Sequence, residues 1–245
     1  GKTVFDVMRG VDFLVAREDV DREHVGASGQ SMGGALSSWM AALDSRLKVS
    51  IISGACLGPY TAEVGHGKRC EYIPRQRMLQ LCNWSDYMRL SVPHCAILVM
   101  NGDEDFQRRW DWAQTDQVVA DAATAYERAD AAGKIKVWYR KGAGHRPYHN
   151  VKEALLWLES YLGTPGWTRP QIEALPTIRF GEWCERHRID YRRQLRNYQT
   201  RPLNYAGAEL ADVDVQPFSA AELKCLRPDE QGAPQYTLAG WLEGI

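Results

Sequence analysis

VGASGQSMGG, residues 25–34, contains the pattern Gly-x-Ser-x-Gly centred on Ser31. The residues just before the pattern predict a short strand, and those after it, up to Leu43, are strong helix formers. The order of strand, glycine turn and helix predicts that Ser31 stands on a tight turn that pushes its hydroxyl outward. Side chains in place of Gly29 and Gly33 would collide with the neighbouring strand and helix, so we expect glycine to be needed at both.

This turn gives Ser31 the surroundings of a nucleophile. It lies at the predicted start of a helix, where the backbone N–H of Met32 would point at an oxyanion formed by attack on a carbonyl. A glycine-rich turn with an incidental serine and a loop that cradles a phosphate are the alternatives for the pentapeptide alone. The surrounding strand and helix favour a nucleophile elbow.

A candidate acid follows the third predicted strand, residues 96–100. The apolar run 96–100 has the length of a strand buried on both faces, and it leads into Asn-Gly-Asp-Glu-Asp at 101–105. We select Asp105 as the acid, because the loop must carry a carboxylate away from the strand tip to reach an imidazole. Asp103 is the reserve choice.

A candidate base follows the predicted strand 135–139. His145 lies there in a glycine-flanked loop that can approach a site closely, whereas His149 is expected to begin the last helix. Ser31, an acid and then His145 is the chain order of the α/β-hydrolase triad. The other histidines are expected to be structural or surface groups, with His66 also a candidate substrate contact: His24, His66, His94 and His187.

Apolar periodicity along the chain predicts a doubly wound α/β fold, with a mostly parallel sheet flanked by helices. The predicted strands are 24–28, 49–53, 96–100 and 135–139, and the predicted helices are 3–16, 35–43, 115–132 and 151–162. Gly133 and Gly163 directly follow the last two helices, and each is expected to cap its helix.

Two segments depart from this alternation. Residues 59–91 mix charged groups, aromatics and cysteines, and we expect a lid-like insertion over the carboxyl edge of the sheet. Its aromatics, together with Trp110 and Trp112, are candidate walls for a sugar or aromatic ester. Prolines and arginines become frequent after Gly163, so we place the hydrolase domain at 1–163 and an appendage or linker at 164–245.

Composition excludes several classes of function. The chain has 245 residues, 44% of them hydrophobic, and a net charge of -1, so it offers no general attraction to nucleic acid. No run of about 18 apolar residues is present to span a bilayer. The six cysteines never form a Cys-x-x-Cys pair, and no pair among His24, His66, His94 and His187 is spaced as a metal site. We therefore expect no metal and no cofactor.

Several motifs together resemble bacterial α/β-hydrolases of the acetyl-xylan-esterase and dienelactone-hydrolase-like kind. The resemblance covers about residues 3–163 and is carried by segments 12–34, 41–48, 72–74, 101–106 and 144–148. It implies a serine carboxylesterase with Ser31 as nucleophile, Asp105 as acid and His145 as base, and a leaning toward acylated carbohydrate. Dienelactone hydrolases proper use cysteine, so Ser31 indicates ester hydrolysis of the serine type.

Two other functions stay open from the sequence. A peptidase of the prolyl-oligopeptidase type shares the elbow and the triad order. A non-catalytic binding or assembly module is the third reading, because hydrolases of this kind place several strands before the elbow and here about 30 residues precede Ser31. The first strand would otherwise be an exposed apolar edge, so we expect a companion chain or an amino-terminal segment to supply the missing strands and the second oxyanion donor.

Overall fold

A parallel four-stranded sheet, in the order β1-β2-β3-β4, forms the centre of the part of the chain that the structure describes. The computed structural model describes residues 2–55, 82–105, 112–163, 167–188 and 209–211. The strands are β1 (Val25–Gln30), β2 (Leu47–Ser53), β3 (Ala96–Gly102) and β4 (Ile135–Arg140). All three pairings between them are parallel, so the predicted α/β class and the four predicted strands are confirmed.

The two inner strands are buried on both faces, as their continuous apolar runs predict. Ile51, Ile52 and Val99 are completely buried. Register brings the carboxyl ends of the strands to one edge, since Gln30 is paired with Ser53 and Ser53 with Met100. In an open parallel sheet this edge is where ligand sites form.

Helices cover both faces of the sheet. In chain order they are α1 (Lys2–Val15), α2 (Met32–Leu43), α3 (Trp84–Leu90), α4 (Trp112–Arg128), α5 (Lys152–Tyr161), α6 (Arg169–Ala174) and α7 (Phe180–Arg186). One core cluster joins the sheet to α1, α2, α3 and α4, and a second joins it to α5. This is the two-sided arrangement predicted from the alternation of strands and helices.

The two predicted glycine caps have different outcomes. Gly163 follows α5 with φ +74°, and its N–H donates to the carbonyl of Leu158 at 3.0 Å, as expected of a helix cap. The prediction for Gly133 is wrong, because α4 ends at Arg128 and Gly133 lies in the separate 3₁₀ turn Ala132–Lys134. Asp130, a residue type that tolerates the left-handed region, takes the positive φ near the helix end instead.

A buried acid anchors the turn between α2 and β2. Asp44 has a 4% exposed side chain and binds the Arg46 guanidinium through both carboxylate oxygens, at 2.7 and 2.6 Å. Arg46 also donates to Asp12 of α1 at 2.6 Å. The hydrogen bonds from Arg46 lower the pKa of Asp44 below its usual value. The network fastens α1 to the start of β2.

The edge of the sheet at β1 is lined with apolar surface. Among the described residues, β1 pairs with β2 alone. A cleft of about 600 Å³ lies between α1, β1 and α2, and its lining includes Val7, Phe13 and Leu14 of α1. Phe13 is 56% exposed. Within the described residues, the outer side of β1 is therefore unpaired, and an apolar cleft lies beside the strand.

Short elements follow the sheet. The strands β5 (Thr177–Arg179) and β6 (Glu209–Ala211) form an antiparallel pair. Lys152 of α5 donates to the carbonyl of Glu173 in α6 at 2.9 Å, so α6 packs on the last helix of the sheet. The described residues all belong to one compact unit, which ends at residue 212. The boundary at residue 164 stays a prediction.

The predicted insertion lies largely outside the described residues, which resume at Cys82. Its described end contains α3, which begins with a capping box in which Asn83 and Asp86 each bind the other's backbone N–H. Within the described residues, Cys82, Cys95 and Cys184 are free thiols, and burial raises the pKa of Cys95 to about 12. No helix in the described ranges is both long and apolar enough to span a membrane.

Candidate active site

Ser31 has the backbone conformation of a forced turn. Its φ of 58° and ψ of -115° lie in a region that residues other than glycine seldom adopt. The Ser31 N–H donates to the carbonyl of Ser53 at 2.8 Å, and the Ser31 carbonyl accepts from Ala35 at 3.0 Å, the first bond of α2. The Ser31 side chain makes no capping bond to the helix. Its hydroxyl is therefore not used to begin α2.

Close backbone packing explains two of the glycines around Ser31. A Cβ on Gly29 would lie 2.1 Å from the carbonyl oxygen of Gly33, and one on Gly34 would lie 2.8 Å from that of Ser53. The expected requirement for glycine at Gly29 agrees with this geometry. The expectation for Gly33 is wrong, because within the described part of the chain a Cβ there would meet nothing within 4 Å. The crowded position is Gly34, one residue later.

Asp105 and His145 form a buried hydrogen-bonded pair. Nδ1 of His145 lies 2.7 Å from Oδ2 of Asp105. The Asp105 side chain is fully buried and that of His145 is 12% exposed. A buried carboxylate that accepts from Nδ1 holds the imidazole in the tautomer whose Nε2 carries no hydrogen and can accept a proton. The structure therefore brings together the acid and the base selected from the sequence.

Gly54 places the imidazole beside the serine turn. It follows the last residue of β2 with φ +58°, and a Cβ there would lie 2.9 Å from Cε1 of His145. The same position is 3.6 Å from Cγ of Gln30, the residue before Ser31. The His145 ring and the Ser31 turn therefore both pack against the end of β2.

Asp103, the reserve acid, contacts the backbone of the histidine loop. Its Oδ1 accepts from the N–H of Gly142 at 2.7 Å, with a longer contact to that of Ala143 at 3.4 Å. The N–H of Glu104 donates to the carbonyl of Ala143 at 2.8 Å. These bonds fasten the acid loop to the loop that carries His145.

His149 does not begin the last helix, because α5 begins three residues later at Lys152. Its Nδ1 lies 2.5 Å from Oγ of Ser28 in β1. Burial lowers the pKa of His149, which favours the neutral ring. A second serine and histidine pair thus ties the histidine loop to the strand that leads into Ser31. The sequence shows a histidine four residues after His145, but nothing in the sequence indicates that it contacts Ser28.

Most of the aromatic residues predicted to line a substrate site lie outside the described part of the chain. Tyr60, Tyr72 and Trp110 lie outside the described residues, as does His66, and the side chain of Trp112 is likewise not described. Trp84 and Tyr87 pack edge to face, with ring centroids 6.2 Å apart, and Tyr87 also contacts Trp39 of α2 at 6.3 Å. In these two residues the rings join α3 to α2.

The remaining histidines contact their local surroundings. His24 pairs with Asp21 at 2.7 Å on the surface, His94 bonds the carbonyl of Ala41 at 2.9 Å, and His187 packs on Trp183. Within the described residues, no three acids, histidines or cysteines are grouped as they would be around a metal ion. Met32 is the first residue of α2, and its role as an oxyanion donor stays a prediction.

Comparison with curated proteins gives a short similarity. YtaP of Bacillus subtilis (strain 168), which is provisionally named a hydrolase, is 39% identical over 51 residues, covering 21% of this chain and 17% of that protein. The chain therefore spans less than a fifth of the curated relative it matches.

Similar solved structures include esterases and a peptidase. A promiscuous carbohydrate esterase of family 15 from a marine bacterial metagenome is 16% identical at a TM-score of 0.47, with 64% of this chain and 46% of that one covered. A glucuronoyl esterase from Caldicellulosiruptor kristjansonii is 14% identical at 0.49, covering 67% and 53%. A puromycin-hydrolyzing peptidase from Mycobacterium tuberculosis is 16% identical at 0.49, covering 65% and 26%. The substrates in these names belong to those proteins.

A family model also matches most of the chain. The model described as the prolyl oligopeptidase family matches residues 1–164, about two thirds of the chain. This match confirms, at the level of the family, the predicted α/β-hydrolase fold and the predicted serine hydrolase. The strand, turn and helix around Ser31 and the loop of His145 both lie within the matched residues. The chain belongs to the prolyl oligopeptidase family.

Proposed function

We propose that this protein hydrolyses acyl esters with Ser31 as nucleophile, His145 as general base and Asp105 as the acid that orients it. The observation that carries the proposal is the buried hydrogen bond of 2.7 Å between His145 and Asp105. The strained backbone of Ser31, packed against the same end of β2, supports it. Burying a carboxylate is costly unless the structure uses its hydrogen bonds, and here it holds an imidazole.

The proposed reaction proceeds in two stages. Nε2 of His145 removes the proton from Ser31 Oγ as that oxygen bonds to the acyl carbon, and the imidazolium then gives the proton to the leaving alcohol. In the second stage His145 removes a proton from water as the water oxygen bonds to the acyl carbon. The imidazolium then returns the proton to Ser31 Oγ, and the carboxylic acid is released. The Met32 N–H at the start of α2 would donate to the carbonyl oxygen while it carries negative charge. Asp105 keeps its hydrogen bond with Nδ1 and stabilises the imidazolium.

Peptide hydrolysis is the second candidate, and the family match favours it. The same three residues would act on an amide, with one additional demand. An amine leaves only after it is protonated, so His145 must deliver its proton earlier than it would to an alcohol. Esters make the smaller demand on the machinery, which is why ester hydrolysis is the first proposal. An acylated carbohydrate is the substrate class that the sequence resemblance favours.

The first experiment tests the nucleophile in the intact protein. We expect Ser31→Ala to lower kcat on p-nitrophenyl acetate by at least about 1,000-fold, since removal of a triad nucleophile leaves only binding and oxyanion contributions. Ser45→Ala, at an exposed turn serine, is the control and keeps wild-type kcat. A fluorophosphonate adduct should map to Ser31 in a peptide digest. Equal turnover by Ser31→Ala and wild type would refute the assignment.

A matched pair of substrates separates the two candidates. p-Nitrophenyl acetate and p-nitroacetanilide share the acyl group and the nitrophenyl ring and differ in the atom that leaves. Turnover of the ester with none of the anilide or of a peptide p-nitroanilide supports the esterase. Comparable kcat/KM on the peptide p-nitroanilide assigns the protein to the peptidases. Acetylated xylo-oligosaccharides then test the carbohydrate preference.

We also propose that a further strand covers the edge of β1, supplied by a companion chain or by an amino-terminal segment. The support is the apolar cleft beside β1 and the exposure of Phe13 within it. Unpaired strand edges are sites of aggregation that natural proteins cover. The covering segment would also be the source of the second oxyanion donor.

A further inference from the structure

We propose that Ser53 is a positioning residue, whose buried hydroxyl sets the distance between the catalytic histidine and the serine turn. This inference rests on the proposed function of Ser31 and His145. Ser53 is the last residue of β2 and is completely buried. It does not belong to the triad and has no titrating group, so its contribution must come from the bonds it makes.

The Ser53 side chain binds the histidine loop at two points. Its Oγ donates to the carbonyl of Arg146 at 2.8 Å and accepts from the N–H of Tyr148 at 3.1 Å. The serine hydroxyl acts as donor and as acceptor at the same atom. Both partners lie within three residues of His145. The loop is therefore held on both sides of Pro147.

The Ser53 backbone binds the serine turn. Its carbonyl accepts from the N–H of Ser31 at 2.8 Å. Ser53 thus contacts both the backbone of Ser31 and the backbone of Arg146, the residue after His145. The path from Ser31 to His145 runs through Ser53 and two hydrogen bonds, without any flexible side chain longer than serine.

Other contacts of the described residues also hold the histidine loop. The Tyr148 hydroxyl donates to the carbonyl of Gly144 at 2.5 Å, and its ring packs edge to face on Trp138. Asp103 binds the loop from the opposite end, at Gly142. Loss of the Ser53 hydroxyl should therefore leave the loop folded and let it shift relative to Ser31. Displacements of about 1 Å in a catalytic group cost on the order of 100-fold in rate.

Ser50 provides a matched control in the same strand. It is also completely buried, and its hydroxyl donates to the carbonyl of Ser37 in α2 at 3.0 Å. Ser50→Ala and Ser53→Ala both remove one buried hydroxyl from β2. Only Ser53→Ala removes a contact with the histidine loop. A general effect of losing a buried hydroxyl would therefore appear equally in both variants.

The experiment compares wild type, Ser53→Ala, Ser50→Ala and Ser31→Ala in the intact protein. We expect Ser53→Ala to lower kcat on p-nitrophenyl acetate about 10- to 100-fold with KM within twofold of wild type. Ser50→Ala should keep kcat within threefold. In hydrogen exchange, Ser53→Ala should speed exchange in peptides that contain Tyr148, whereas Ser50→Ala should not.

The outcomes are distinct. If Ser53→Ala retains wild-type kcat, or if both variants lose kcat equally, Ser53 has no positioning role. If exchange at Tyr148 is unchanged in Ser53→Ala, the hydroxyl does not hold the loop and the inference is wrong. Failure of the proposed function looks different: Ser31→Ala then matches wild type in turnover, while Ser53→Ala still loosens the Tyr148 peptide.

Discussion

Gly54 illustrates, at the scale of a single residue, how little free space surrounds the proposed base. Its φ of +58° is strained for any other residue, and a Cβ would lie 2.9 Å from Cε1 and 3.0 Å from Nδ1 of His145. Nδ1 is the atom that contacts Asp105. An added methyl group can therefore fit only if the imidazole moves away from its acid.

Gly54→Ala should lower kcat at least about 10-fold, because the methyl displaces His145 from its bond with Asp105. Gly142→Ala is the control: it also has a positive φ, of +65°, but within the described residues a Cβ there would meet nothing within 4 Å. The measurement is kcat on p-nitrophenyl acetate together with the thermal unfolding midpoint. Equal losses of kcat in the two variants would show that backbone strain, not contact with His145, is responsible.

The two aspartates of the acid loop should respond differently to the same substitution. Asp105→Asn keeps the shape but donates where His145 needs an acceptor, so we expect kcat to fall about 1,000- to 10,000-fold. Asp103→Asn keeps an Oδ1 that can still accept from Gly142, so kcat should change less than about 10-fold. Steady-state kinetics on one ester measure both. A larger loss of kcat in Asp103→Asn than in Asp105→Asn would show that Asp103, and not Asp105, is the acid that acts with His145.

The sequence indicates the residues of the proposed site, but not the residues that support them. Ser31, Asp105 and His145 could be selected because each follows a strand-like segment and parallel strands end at one edge. The choice of Asp105 over Asp103 depended on reach along the loop, which spacing conveys. Ser53 was not predicted, since its hydroxyl binds partners 93 and 95 residues away, and no local pattern encodes such a contact.

At the scale of elements, the histidine loop is held by neighbouring strands as well as by its own helix. His149 joins it to β1 through Ser28, and Asp103 joins it to the end of β3. The helix boundaries were the less predictable part: α4 ends at Arg128, four residues before the predicted end. Alanines continue past that point, but Asp130 has a positive φ and the Ala131 N–H donates to the carbonyl of Tyr126 at 2.8 Å, so a local turn and not propensity ends the helix.

Burial of His149 beside Ser28 should make the free energy of unfolding depend on pH. Burial lowers the pKa of His149 in the folded state, so the unfolded chain binds the proton first as pH falls. The contribution is fully present above the unfolded pKa of about 6.5 and is lost as pH falls toward the lower folded value. Denaturant unfolding between pH 5 and 8 should show this loss in wild type.

His149→Asn should reduce that slope, since asparagine retains a polar group for Ser28 without titrating. His24→Asn is the matched control, because His24 is exposed on the surface. An unaltered pH slope in His149→Asn, or an equal change in both variants, would mean that other groups set the dependence.

At the scale of the whole molecule, the described sheet is apolar at one edge. Phe13 and Leu90 are almost equally exposed, at 56% and 59%, but of the two only Phe13 lines the cleft beside β1. If another segment covers this cleft in the intact protein, Phe13 is buried there. Large apolar side chains contribute roughly 1.5–3 kcal/mol on burial.

Phe13→Glu should therefore lower the unfolding midpoint of the intact protein by several degrees, while Leu90→Glu leaves it nearly unchanged. A mass spectrum under denaturing conditions shows whether one or two polypeptides are present, which separates the companion chain from a segment of the same chain. Equal midpoints in the two variants would show that the cleft stays open to water.

The contacts that build the site also determine when it can form. His145 reaches Asp105 across 40 residues, Ser53 reaches the loop across 93, and His149 reaches Ser28 across 121. Such distant contacts close only after all four strands have assembled, because each requires long segments of chain to be ordered first. During refolding, helical signal should therefore return before Ser31 becomes reactive. A fluorophosphonate pulse would then report the last step of folding, and intermediates with a nearly complete sheet would be silent.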